Sequence, residues 1–147
     1  MTRLLILSLC ASLVAGCSGS AIRDVARATA VSGLLLNEAR TQMIVERRSQ
    51  LDACADEECL NRIEAQWNQP ITAYEIARHS HSLLVDALVI ASLAENNDIS
   101  LTSLRSALAS VAAAIDGLVD SLQALGVELP RELTEAITVV TSLSRMI

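Results

Sequence analysis

The stretch LTSLRSALASVAAAIDGLVDSLQAL, residues 101–125, decides the fold. Leu101, Leu104, Leu108, Val111, Ile115, Leu118, Leu122 and Leu125 fall three and four apart without a miss. A seam of period 3.5 is the mark of a helix that packs lengthwise on other helices. Its flanks are Ala107, Ala112, Ala114, Val119 and Ser121, with Arg105 the charged exception. A parallel coiled-coil dimer would carry Glu and Lys at such flanks. Small flanks suit close antiparallel packing inside one chain. The stretch therefore predicts one helix of an all-α antiparallel bundle of three to four helices. A monomer is the expectation, with a homodimer through this seam as the alternative.

Working outward towards the C-terminus, Gly126 sits where a helix ends in a left-handed residue. Pro130 opens a short last helix, with Glu132 and Glu135 early and Arg145 late, as the helix dipole favours. Ile137, Val140 and Leu143 form its buried side. Towards the N-terminus, Asn96-Asn97-Asp98 reads as a loop, with Asp98 or Ser100 as the cap of the seam helix. Before it, Leu83–Ala94 is apolar almost all round, interrupted by Asp86 and Ser92. This run reads as the central and most buried helix, starting near Ile71. Asp86 is read as lying on a solvent-facing strip, with a buried functional carboxylate as the alternative. Asn68-Gln69-Pro70 predicts a break or kink that separates it from an earlier segment containing Leu60, Ile63 and Trp67.

The segment Asp52-Ala53-Cys54-Ala55-Asp56-Glu57-Glu58-Cys59 reads as a corner. Cysteines five apart on an unbroken helix diverge by about 140° and cannot pair. With Asp56 as an N-cap and Glu57 and Glu58 in the first turn, a new helix starts here. Cys54 and Cys59 then form a disulfide in an oxidising compartment. Zinc is the rival use of these thiols, with His79 and His81 downstream. Two histidines two apart on a helix diverge, so no metal site is expected. Upstream, Ile22, Val25, Ala28, Leu35, Leu36, Ala39 and Met43 share one face, opposite Arg23, Arg27, Glu38 and Arg48. That pattern predicts an amphipathic helix over 22–51, weakened at Gly33. Arg40 and Arg47 sit at the edge of its apolar stripe, suited to pairing with acids.

Ahead of this helix, Arg3 supplies a positive start and Leu4–Val14 an apolar run of 11 residues. That is a signal-peptide core, too short to span a bilayer. It ends in Val14-Ala15-Gly16-Cys17. Here the sequence resembles bacterial lipoprotein precursors, whose lipobox runs apolar, small, small, Cys. The resemblance implies a cut before Cys17 and acyl chains, palmitate among them, on Cys17. The domain division becomes 1–16 signal peptide, 17–21 lipidated Cys and short tether, and 22–147 helical bundle. Ser18 follows the cysteine, where Asp would resemble an inner-membrane retention signal. An outer-membrane anchor facing the periplasm is the expectation, with the inner membrane as the alternative. A tether this short holds Arg23 and Arg27 near the lipid head groups.

Composition narrows the function. The formal charge is −6, every basic residue is Arg, and the chain has no Phe, one Trp and one Tyr. From residue 68 onward 4 Arg face 9 acids, a surface that repels a phosphate backbone, so no nucleic-acid partner is expected. No nucleophile motif, phosphate loop or dinucleotide fingerprint is present. The expectation is a non-enzymatic lipoprotein without cofactor, acting as a structural element or adaptor for an envelope protein partner. The alternatives are a phage- or prophage-encoded envelope protein, in lysis or superinfection exclusion, and a carrier of apolar ligands.

Overall fold

The computed structural model describes residues 21–93 and 97–146; the lipobox and Cys17 lie outside them. Among the described residues there are four helices and no strand: α1 Ala21–Asp52, α2 Glu57–Leu93, α3 Asn97–Ala124 and α4 Arg131–Met146. They pack around the ring α1–α2–α3–α4, and α1 also touches α3 across one diagonal. The other diagonal, α2 to α4, is nearly empty. The bundle is thus a flattened rhombus with α1 and α3 at its centre. This is the all-α antiparallel bundle that the seam predicts.

The seam of α3 is the core. Leu104, Leu108, Val111, Ile115, Leu118 and Leu122 are buried, and Leu125 is half-buried. By length and composition Thr102–Ala124 could cross a bilayer, but its apolar line is spent on the neighbouring helices. On α1 the residues Val25, Ala28, Leu35, Leu36, Ala39 and Met43 are buried as expected, joined by Val31, Thr29 and Ser32. The last two satisfy their hydroxyls locally, Thr29 donating to the Val25 carbonyl (2.8 Å) and Ser32 to the Thr29 carbonyl (3.0 Å).

Two expectations fail on α2. The first is the break at Asn68-Gln69-Pro70: α2 runs unbroken through Pro70. A proline inside a helix costs about 3 kcal/mol through a lost hydrogen bond and a clash. Pro70 is itself buried, as are Ala77, Leu84 and Ala91 at successive seven-residue steps. Trp67, buried three residues earlier on the same face, would be parted from that line by a break, so packing outweighs the local penalty. The Thr72 hydroxyl donates to the Asn68 carbonyl (2.8 Å) in the same turn.

The second is the reading of Leu83–Ala94 as the most buried helix. Leu84 and Ala91 are buried, but Leu83, Val85, Val89, Ile90 and Leu93 are exposed. The cause is the rhombic section. With α4 out of reach, α2 has neighbours on one side only, and its outer face stays bare. Asp86 lies on that outer face, exposed.

The ends of the helices follow local chemistry. Asp56 caps α2: its carboxylate accepts from the Cys59 amide (2.8 Å) and its carbonyl from the Leu60 amide (3.2 Å). After α3, Gly126 takes φ of 74°. The Val127 amide donates to the Leu122 carbonyl (3.1 Å) and the Gly126 amide to the Gln123 carbonyl (2.9 Å). This is a Schellman closure, and buried Val127 covers it. Pro130 precedes α4, whose first full-turn bond runs from the Thr134 amide to its carbonyl (3.3 Å). Ala136 and Val140 of α4 are buried, with Ile137 and Leu143 packed beside them.

Because Leu108 is fully buried at the middle of the seam, Leu108→Ala should cost about 2–5 kcal/mol of unfolding free energy. Urea denaturation followed by the fluorescence of Trp67 measures this directly. A loss below about 0.5 kcal/mol, the ordinary range for surface sites, would contradict the packing described for α3.

Candidate functional site

Two places gather the chemistry-bearing residues: the α1–α2 interface and the corner at its foot. At the corner Cys54 and Cys59 form the expected disulfide, with their Cα atoms 5.5 Å apart. The chain can close this loop because α1 ends at Asp52 and α2 starts at Glu57. In a chain-entropy account, so short a loop contributes about 2 kcal/mol. The corner is further held by Trp67, fully buried, whose indole N–H donates to Gln50 Oε1 (2.8 Å). Arg47 sits between the same helices, 3.8 Å from Glu64, the acid pairing expected of its edge position. Arg40 is exposed.

The middle of the interface holds a polar pair. Ser32 is fully buried on α1, and its Oγ lies 3.0 Å from Nδ1 of His81 on α2. A serine hydroxyl carries one proton. Since that proton goes to the Thr29 carbonyl, Oγ accepts from Nδ1–H, which fixes the imidazole tautomer. The ring also explains Gly33. A Cβ on Gly33 would stand 3.3 Å from His81 Nε2 and 3.4 Å from Cε1. Glycine here weakens helix propensity but lets the imidazole come close to α1. The outer edge of His81 borders an open depression with Glu75, Arg78, His79, Ser82 and Val85. An ion pair between Arg78 and Glu75 (3.2 Å) stands at the same place.

A buried serine beside a histidine suggests acyl-transfer chemistry, but the geometry serves another purpose. The Ser32 hydroxyl is sealed between helices and cannot meet a substrate. Among the described residues no carboxylate bonds to His81 to orient it as a base. The pair works as a peg that sets the axial register of α1 against α2. His79, two residues earlier, is exposed and borders the same depression, without a bond to Ser32. Among the described residues no three of His, Cys, Asp and Glu converge as a metal cage, and the two thiols are committed to each other.

Arg23 is exposed at the start of α1; Arg27 is half-buried and lies 3.8 Å from Asp24. Inside the bundle, Leu35, Leu36 and Ala39 of α1 surround a void of about 10 Å³ with Ile115, Leu118, Val119 and Leu122 of α3, closed by Leu129 and Ile137. That is the room of a single water at most. The polar peg is the part that sequence reasoning missed. Its signal was present in Ser32-Gly33 at the centre of an otherwise apolar face. No protein-family model, curated protein or solved structure matches this chain.

Burial holds the His81 pKa below its ordinary value, because the charged imidazolium loses hydration. A folded-state pKa below the unfolded one means that the unfolded chain binds more protons as pH falls. Stability is then full above the unfolded value of about 6.5 and declines as pH drops through the folded value. Unfolding free energies taken between neutral and mildly acid pH should show this decline, and His81→Gln should flatten it. An equal slope in both proteins would exclude His81 as its source.

Separately, thiol alkylation and mass spectrometry of the native protein should find neither Cys54 nor Cys59 free. Two alkylated thiols without reductant would remove the corner staple from the structure.

Proposed function

We propose that this chain is a bacterial lipoprotein, cut before Cys17, acylated there, and anchored in the outer membrane with its bundle facing the periplasm. The observation that carries the reading is Val14-Ala15-Gly16-Cys17, placed directly after Arg3 and the apolar run Leu4–Val14. Two or three acyl chains give a stable anchor where one is marginal, since each buried CH₂ contributes roughly 0.8 kcal/mol. The bond between Cys54 and Cys59 fits an oxidising compartment.

The bundle's role in this proposal is structural: a rigid adaptor that holds an envelope protein partner at the membrane. A filled interior supports it over a carrier of apolar ligands. Ligand pockets run to about 300–1,000 Å³; the apolar void between α1 and α3 is about 10 Å³, and the depression beside His81, about 590 Å³, is open and edged by Glu75, Arg78 and His79. The polar pair at Ser32 and His81 supports it too, because it stiffens the α1–α2 hairpin without exposing a reactive group.

Cys17→Ala tests the anchor. The variant should lose palmitate incorporation, keep its leader and shift to a larger apparent mass. A variant that stays membrane-bound and is processed to the wild-type size would rule the lipoprotein reading out. In vivo crosslinking from exposed positions of α2, followed by identification of the captured protein, tests the adaptor role.

A further inference from the structure

The pairing of α1 with α2 fixes which ends of the molecule lie together. Ser32 meets His81, Arg47 meets Glu64 and Gln50 meets Trp67, so numbers fall along α2 as they rise along α1. Both helices advance about 1.5 Å per residue. Counted from the Ser32–His81 pair, Ala21 at the start of α1 stands level with Ser92 and Leu93 at the end of α2. At that level α2 turns an apolar face outward: Val89, Ile90 and Leu93 are 52%, 66% and 79% exposed. Leu93 lies four residues from Val89 and three from Ile90, so the three share one face. The opposite end of the hairpin carries Asp52, Asp56, Glu57 and Glu58, all exposed. The hairpin therefore carries exposed apolar side chains on the last turns of α2, followed in sequence by Glu95 and Asp98, and an acidic corner at its other end.

We infer that Val89, Ile90 and Leu93 seat the bundle end-on in the head-group layer of the bilayer that anchors it. The inference rests on acylation at Cys17 and adds a posture to it. Three residues, Ser18 to Ser20, lie between Cys17 and the start of α1 at Ala21, a span of at most about 14 Å. A lipid surface held within that distance meets the end of α2 before any other apolar face. Exposed Asp86 marks the polar limit of the patch, about 10 Å along the axis from Leu93, and interfacial helices bury their apolar residues to about 5–10 Å. Arg23 stands at the same end, level with the phosphates, and the acidic corner points away from anionic lipid.

The test uses the full acylated protein in vesicles of phosphatidylethanolamine and phosphatidylglycerol. An environment-sensitive fluorophore is attached through Leu93→Cys, and in a second protein through Gln123→Cys, an exposed site at the far end of α3. The disulfide is kept oxidised throughout. Lipids brominated on the acyl chain serve as quenchers. The label at 93 should emit to the blue and lose about half its intensity or more, as a group within about 5–10 Å of the acyl boundary does. The label at 123 should do neither. An acylated, vesicle-bound protein whose label at 93 behaves like that at 123 overturns this inference alone. A blue-shifted but unquenched label at 93 means that a second copy covers the face, and overturns it as well. A chain that carries no acyl group and leaves the vesicles overturns the lipoprotein reading, and this posture with it.

Discussion

Along the short diagonal of the bundle, Leu35, Leu36 and Ala39 of α1 close on Ile115, Leu118 and Leu122 of α3. A chain without Phe has few bulky side chains to hold two helices apart. Leu, Ile, Val and Ala pack tightly and leave almost no void. The contact closes the short diagonal, while the most extensive packing in the bundle is that of α2 on α3. From this one constraint follow the burial on α1, the continuous seam on α3 and the bare outer face of α2.

Helices joined only by apolar packing can slide by a turn at small cost. Ser32 and His81 remove that freedom between α1 and α2. The hydrogen bond is part-buried, and a slipped register would press the imidazole against an apolar stretch of α1 without its Ser32 partner. Gly33 clears the space that the imidazole needs. Trp67 with Gln50, and Cys54 with Cys59, fix the foot of the same hairpin. The three devices are spaced along α1 and α2, so the hairpin is pinned near its middle and at its foot.

The sequence made α3 legible because a seam of period 3.5 has one physical use, and the structure keeps it. The corner was legible for a similar reason: Cys54 and Cys59 cannot meet on a continuous helix, so the chain had to turn. Pro70 misled because local propensity argues for a break there, while Trp67 before it and the line Pro70, Ala77, Leu84, Ala91 from it onward are buried on one face. Leu83–Ala94 misled for a different reason. An apolar run states how much surface could be buried, not whether a neighbour is there to bury it. That depends on the section of the bundle, which is set by α1 and α3. The register peg was hidden because a Ser–His contact between residues 32 and 81 has no local pattern. The anchor at Cys17 is a matter of the leader alone, and its reading remains a proposal.

The helix count has a consequence for topology. Four antiparallel helices are an even number, so the chain comes back towards the end from which it set out. Met146 closes a helix that runs back towards the level of Ala21, while both hairpin turns, Ala53–Asp56 and Leu125–Pro130, lie at the opposite pole. Parity thus gathers the start of α1, the end of α4 and the α2–α3 connection towards one pole, and the other two turns towards the opposite one. The termini could be joined by a short linker and the chain reopened between Ala53 and Asp56, keeping all four helices while transferring the point of attachment to the acidic pole.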